Sequence, residues 1–306
     1  MKIYKIASAN TGVRLDRFLA KQLPEATRSW LQKLIKQAKV RVNDTTVKAH
    51  YLLKAGEVVA IDYQPPSPLK ITANALVSFR VIDENKDWLV LEKPAGLVVH
   101  QSLSHREPNT LVNGLLAKYP EIRGVGEGEI RSGLVHRLDR DVSGVMVAAK
   151  TPAAYGKLKE QFKKRSVSKT YLALAHGQLS KNEETINLSI QRSKRHGQKM
   201  AVQPKGSGQG KEAITRYHVI KQYAKHALVE INIVTGRTHQ IRAHFAAIGH
   251  PVVGDQLYKQ SRYKNGQFTR LMLHAVELCL TIPLGERRCW RSEWPKNLQK
   301  QIDSLT

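Results

Sequence analysis

The stretch QPPSPLK at 64–70 puts three prolines into seven residues, and the hydrophobic period changes across it. Proline fixes φ and donates no backbone hydrogen bond, so neither a helix interior nor a central strand continues through such a run. It reads as a semi-rigid spacer within a linker over 64–77, between a small domain over 1–63 and a larger one over 78–306. Before it, Leu15, Phe18, Leu19 and Leu23 recur at helical spacing and Pro24 stops the pattern. Trp30, Leu31, Leu34 and Ile35 predict a second helix over 29–38. VRVNDTTV then places short alternating strands about the turn-prone pair Asn43-Asp44, and Val58 to Ile61 supplies another strand. The small domain is therefore an αα-β arrangement.

Beyond the linker, apolar strands recur at 78–82, 88–93, 144–150, 170–176, 213–220, 227–234 and 271–278. Helical patterns interrupt them at 110–119, 152–165 and about 238–247. The end, SEWPKNLQKQIDSL, fits a short helix with Pro295 in its first turn. Strands in series with helices packed on them point to the α+β class. The segment 192–211 is basic and glycine-rich, and reads as a loop or hairpin, either closing on a phosphate backbone or simply solvated.

Charge narrows the function. Fifty Lys and Arg against 25 Asp and Glu leave the chain at +25, a field that suits a polyanionic partner. No run approaches the roughly 18 apolar residues needed to span a bilayer, so nucleic acid is expected rather than a membrane. Within 1–63, 12 basic and 5 acidic residues leave +7. Arg28, Lys33, Lys36, Lys39 and Arg41 crowd the second helix and the strand after it. Cys279 and Cys289 make neither a disulfide framework nor a CxxC pair, and read as reduced thiols. MKIYKIASAN has no apolar leader segment, so a cytoplasmic location is expected.

One tetrapeptide occurs twice. Arg-Leu-Asp-Arg stands at 14–17 and again at 137–140. Asp16 falls in the first turn of a helix, where a carboxylate favours the helix dipole, and that suffices to explain it. Asp139 lies instead in GLVHRLDRDVSG, a tight polar stretch between apolar runs. That pattern puts side chains on a turn at a strand end, where either a satisfied turn carboxylate or a tuned active-site acid fits.

Five ordered blocks favour the second reading. HRLDRDVSG (136–144) resembles the HRLDxxTSG hallmark of the RluA family of RNA pseudouridine synthases, with Val142 at the usual threonine. LEKPAGLVVH (91–100), SVSKTYLALAHG (166–177), TGRTHQIRAHFAAIGHPVVGDQLY (235–258) and LMLHA (271–275) resemble its other blocks. Residues 1–63 resemble an S4 RNA-binding domain, in which the second helix and adjoining loop grip RNA backbone through Arg28, Lys33, Lys36 and Arg41. An S4 domain ahead of this catalytic domain is similar to bacterial enzymes acting on large-subunit ribosomal RNA.

The resemblance implies a mixed, mainly antiparallel sheet with flanking helices, the pseudouridine synthase fold. It also implies isomerisation of uridine to pseudouridine without cofactor or metal, on ribosomal RNA or a pre-ribosomal particle, by a monomer. Asp139 matches the essential carboxylate, which either attacks C1′ or takes a proton from C2′. Arg242 matches its salt-bridge partner, and Tyr171 matches the active-site tyrosine that stacks on the uracil. Leu273 would floor the base, Arg137 would fill the space a flipped base vacates, and His136 would line the substrate pocket. Two rival readings remain: a nucleoside hydrolase using Asp139 and Asp141 as an acid–base pair, and a non-catalytic RNA-binding or ribosome-assembly factor.

Overall fold

The structure is a computed structural model that describes residues 1–306 apart from Glu25, Thr27, 64–70, 103–106, 194–195, Lys205, 264–265, Gln267, 283–284 and Thr306, and apart from the side chains of Ser29 and Asn297. The chain divides into two compact units, Met1–Pro68 and Leu69–Thr306. The proline run lies outside the described residues. Ile71 is buried in the core of the second unit, and Asn113 Nδ2 donates to Thr72 O. The stretch from Ile71 onward thus packs on the second unit, because it brings an apolar anchor and backbone partners that a free spacer lacks.

In the first unit the order is β1 (Lys2–Lys5), α1 (Leu15–Gln22), α2 (Arg28–Lys36), β2 (Val40–Val42) and β3 (Val58–Ile61). The sheet runs β1-β3-β2, antiparallel throughout. Leu15, Phe18 and Leu19 of α1 and Leu31, Leu34 and Ile35 of α2 bury one stripe each against Val40, Val42, Val59 and Ile61. Asn43 and Asp44 both take positive φ, as a turn there requires. The strand expected after that turn shrinks to one bridge, Val42↔Thr45, because β2 pairs with β3 instead.

The second unit carries β4 (Arg80–Glu84), β5 (Trp88–Lys93), α3 (Leu111–Lys118), β6 (Ser143–Ala149), α4 (Pro152–Lys164), β7 (Ser168–His176), β8 (Glu183–Asn187), β9 (Ile190–Arg192), β10 (Met200–Val202), β11 (Ile214–Gln222), β12 (His226–Ile233), α5 (Gln240–Ala247), β13 (Leu273–Thr281), β14 (Arg287–Arg291) and α6 (Lys296–Asp303). Among the described residues nine strands form one sheet in the order β4-β5-β6-β13-β7-β12-β11-β8, with β14 paired to β13. Its only parallel pairing among the described residues is β6 with β13.

Strand alternation explains why helices cover both faces. Leu89 and Leu91 of β5 pack with Met146, Ala148 and the α3 residues Leu111 and Leu115. Trp88 and Val90, pointing the other way, pack with Val145, Val147 and the α4 residues Ala154 and Leu158. A strand buried on both faces reads as a continuous apolar run, which is what WLVL is. The segment expected as loop or hairpin is a hairpin: β9 and β10 pair antiparallel.

One expectation is overturned. Cys279 and Cys289 face each other across β13 and β14 and are joined, S–S 2.04 Å. Sequence patterning hid the pair because β14 reads RRCWR, a charged run without strand alternation, so nothing marked the two residues as cross-strand neighbours. Pro295 caps α6 from just outside, one position earlier than expected.

Candidate active site

Asp139 sits on the turn that feeds β6, closed by Val142 N–H donating to Asp139 O at 3.2 Å. Two features fix that turn. Gly144 lies where β6 meets β13; its φ is +124° and a Cβ would run into the Ala275 backbone, so a larger residue would push the turn away. Lys93, at the end of β5, is fully buried and donates to Pro94 O, Leu97 O and Arg140 O at 2.7, 2.8 and 2.9 Å. Three carbonyls match the three protons of an ammonium. Burial brings the Lys93 pKa down to about 7, while Asp141 and Asp139 pull it up.

Arg242 approaches from α5. Its Nη1 donates to Asp139 Oδ2 at 3.2 Å, while Nε and Nη2 donate to Asp255 at 2.7 and 3.0 Å. Asp255 also accepts from the backbone N–H of Leu257 and Tyr258 at 2.8 and 2.9 Å. The guanidinium is thus clamped along one edge, through two of its nitrogens, by a fully enclosed carboxylate and offers its third nitrogen to Asp139. Burial opposes its charge, but Asp255 and Asp139 outweigh burial and raise its pKa. Gly254, at φ +77°, lets the chain turn against the Arg270 backbone just before Asp255.

These groups open onto a cavity of ≈ 450 Å³ lined by Arg137, Asp139, Tyr171, Arg242 and Leu273, among others. A volume of this size holds one nucleotide-sized ligand. Tyr171 is buried on β7, and burial followed by Asp139 pushes its hydroxyl pKa up, so the phenol stays protonated. Leu273 opens β13 and is buried. Arg137 is exposed. His136 lines the cavity too, but its Nε2 accepts from Val147 N–H at 3.0 Å and its ring stacks on Phe162. Burial, then Lys169, brings its pKa down to about 3. The His136 ring is therefore held by the scaffold.

The hydrolase pairing fails on geometry. Asp141 is ion-paired to Arg140 at 2.9 Å, is 42 % exposed, and is absent from the cavity wall. The turn at 139–142 leaves Asp139, but not Asp141, on the cavity wall.

Several side chains that the structure brings to the site carried no role in the sequence patterns. Asp255, Tyr258 and His239 lie inside the TGRTHQIR…GDQLY block, and Lys93 in LEKPAG; the motif positions themselves were the available signal. Lys169, two residues before Tyr171, also lines the cavity. Burial, then Arg165, brings its pKa down to about 8. Arg165 is itself paired with Glu212 at 2.8 Å.

In the first unit, Lys33, Lys36 and Arg41 are exposed. Arg28 is exposed as well, but its Nε and Nη2 donate to Asp16 Oδ2 at 3.0 and 2.8 Å. Asp16 also accepts from Arg14 Nε and Nη2 and from Gln32 Nε2. Its explanation is this buried ion-pair hub rather than the helix dipole alone.

Comparison with known proteins agrees with this arrangement. The RNA pseudouridylate synthase family matches residues 87–247, and the S4 domain matches residues 13–59. An uncharacterized RNA pseudouridine synthase of Synechocystis sp. is 38% identical over 281 residues, covering 92% of this chain and 85% of the relative. Ribosomal large subunit pseudouridine synthase D of Yersinia pestis is 35% identical over 313 residues, covering 98% and 93%. In structure, human RNA pseudouridylate synthase domain containing 1 aligns with a TM-score of 0.58 at 24% identity, over 79% of this chain and 98% of that one, which bears on the fold. The chain belongs to the RNA pseudouridylate synthase family. It is an RNA pseudouridine synthase with an N-terminal S4 domain, and neither rival reading finds support.

Proposed function

We propose that the chain isomerises uridines in large-subunit ribosomal RNA and that Asp139 is its essential carboxylate. One observation carries the assignment: Asp139, 18 % exposed on the cavity wall, meets the clamped Arg242 guanidinium at 3.2 Å. Relatives named for the ribosomal large subunit and the excess of 25 positive charges support the RNA target.

The reaction conserves atoms. The N1–C1′ bond breaks, the uracil turns, C5 bonds to C1′, the C5 proton leaves to solvent and N1 gains one. Asp139 acts as an anion, either on C1′ or on the C2′ proton. Arg242 positions it and complements its charge. The protonated Tyr171 ring stacks against the base, and Leu273 closes the apolar side. Arg137, exposed and planar, fills the stack when the target base leaves it. His136 supports the turn beneath these groups.

Lys33, Lys36 and Arg41 contribute backbone affinity from the S4 domain, with Arg28 serving mainly to hold Asp16. Deleting residues 1–63 lowers affinity and flattens the salt dependence of binding.

The test is C5-tritium release from a [5-³H]uridine-labelled large-subunit ribosomal RNA transcript, followed by mapping of the product. Tritium released with the strand intact supports the proposal. Free uracil, or no release, overturns it.

A further inference from the structure

His239 stands beside Asp139 in an unusual backbone state. It is the residue before α5 and takes φ +54°, a left-handed conformation that a non-glycine residue adopts at some cost. The loop around it is over-determined. Gln240 Oε1 accepts from Thr235 Oγ1 and Arg237 N–H at 2.8 and 3.0 Å, and its Nε2 donates to Ile214 O and Thr215 Oγ1 at 3.0 Å each. The strain is held in place and aims the imidazole into the cavity wall.

The hydrogen bonds of Tyr258 decide which ring nitrogen carries the proton. The Tyr258 hydroxyl donates to Met200 O at 3.2 Å and accepts from Met200 N–H at 2.7 Å. Its one proton is used, and one lone pair remains. His239 Nδ1 lies 3.1 Å from that oxygen, so with the phenolic proton directed to Met200 O it is Nδ1–H that donates. Burial lowers the His239 pKa, with Asp139 opposing, so the ring is neutral and has a single N–H. Nε2 is therefore a bare acceptor. It faces Asp139 Oδ2 at 3.9 Å, two acceptors with no proton between them.

A ligand hydroxyl resolves that mismatch. If Asp139 works at C1′ or C2′ of the target nucleotide, as proposed above, the group carried on C2′ falls beside the imidazole. We propose that His239 Nε2 accepts a hydrogen bond from the 2′-hydroxyl of the target nucleotide and so makes the enzyme select ribose over deoxyribose at the position it isomerises. The 2′-hydroxyl is the one feature that separates RNA from DNA at a single sugar.

The test uses the full chain and a stem-loop RNA built around the uridine that the wild-type protein modifies, made with ribose or with 2′-deoxyribose at that one nucleotide. The wild-type protein prefers the ribose stem-loop in kcat/KM by about fivefold or more, the worth of one net hydrogen bond. His239→Asn keeps a residue that tolerates positive φ but shortens its reach; its preference falls about fivefold. The chemical effect of the missing hydroxyl is common to both proteins and cancels in that comparison. An unchanged preference overturns the proposal. A second arm needs no variant: in ¹⁵N-histidine spectra, His239 carries its proton on Nδ1, and its Nε2 resonance shifts with the ribose stem-loop but not with the deoxyribose one. A protonated Nε2 in the free protein, or equal shifts, overturns it. Failure of the Asp139 assignment shows separately, as activity retained in Asp139→Asn.

Discussion

The two Arg-Leu-Asp-Arg tetrapeptides end in opposite environments. Asp16 has no exposed side-chain surface and is saturated: Arg14, Arg28 and Gln32 all donate to it. Burial alone would raise its pKa, but those three donors bring it down to about 2. Among the described residues the Asp139 carboxylate has a single hydrogen bond, from Arg242 to Oδ2, and its Oδ1 has no partner. Identical local sequence gives a structural anchor in one place and an available anion in the other. The deciding quantity is how many donors the surroundings spend on the carboxylate.

That contrast can be broken most directly at Asp139. Asp139→Asn removes the anion while keeping shape, and pseudouridine formation falls by about 10⁴-fold, the scale of losing a principal catalytic group. Its thermal midpoint stays close to wild type, because the amide keeps an oxygen for Arg242 and one part-buried hydrogen bond is all that is weakened. Tritium release alongside calorimetry checks both halves; a stability loss matching that of the Asp16 variant would erase the distinction.

At Asp16 the effects invert. Asp16→Asn costs the first unit about 3 kcal/mol, since buried charge-assisted hydrogen bonds to two guanidiniums are disrupted. RNA affinity weakens with it, whereas turnover of bound RNA is preserved. Urea unfolding followed through Trp30 fluorescence in the S4 domain reports the first effect, and single-turnover rates at saturating enzyme report the second.

Asp255 sharpens the comparison, because it is a saturated carboxylate that serves the unsaturated one. Asp255→Asn loosens the Arg242 fork without touching Asp139. A misplacement of the order of an ångström costs about 100-fold in rate. The loss should appear in kcat with KM little changed; a pure KM effect would make Asp255 a binding residue instead.

Acid titration gives the smallest effect. The Asp16 carboxyl has a lower pKa folded than unfolded, so its contribution is present above about pH 4 and disappears as pH falls toward 2. A shift from 3.8 to about 2 corresponds to about 2 kcal/mol. The Asp16→Asn protein should lack that segment of the stability–pH curve. An identical slope between pH 4 and 2 in both proteins would remove Asp16 as the source.

Much of this was legible before any coordinates. Helical spacing at Leu15, Phe18 and Leu19 and the double-sided apolar run of WLVL are local consequences of a 3.6- or 2-residue period, and they fold as read. The motif blocks likewise carried Asp139, Arg242, Tyr171 and Leu273 to one cavity. What escaped has a common cause. β14 is a charged edge strand whose strand character comes only from pairing with β13, so the Cys279–Cys289 bond could not be read from spacing. Nothing along the chain showed that Arg28 also holds Asp16, twelve residues away, because that engagement depends on the packing of α1 against α2.

Sequence alone determined the periodicity of the elements, the positive charge, and the motif positions that carry the proposed reacting groups, because each is a property of neighbours along the chain. Only the tertiary structure decided which of two identical tetrapeptides keeps an unspent carboxylate. It also decided that Asp255 would clamp Arg242, and that Tyr258 would stand within hydrogen-bond reach of His239 Nδ1. Those outcomes depend on donors and acceptors brought together from distant segments, and their count is set by packing rather than by order along the chain.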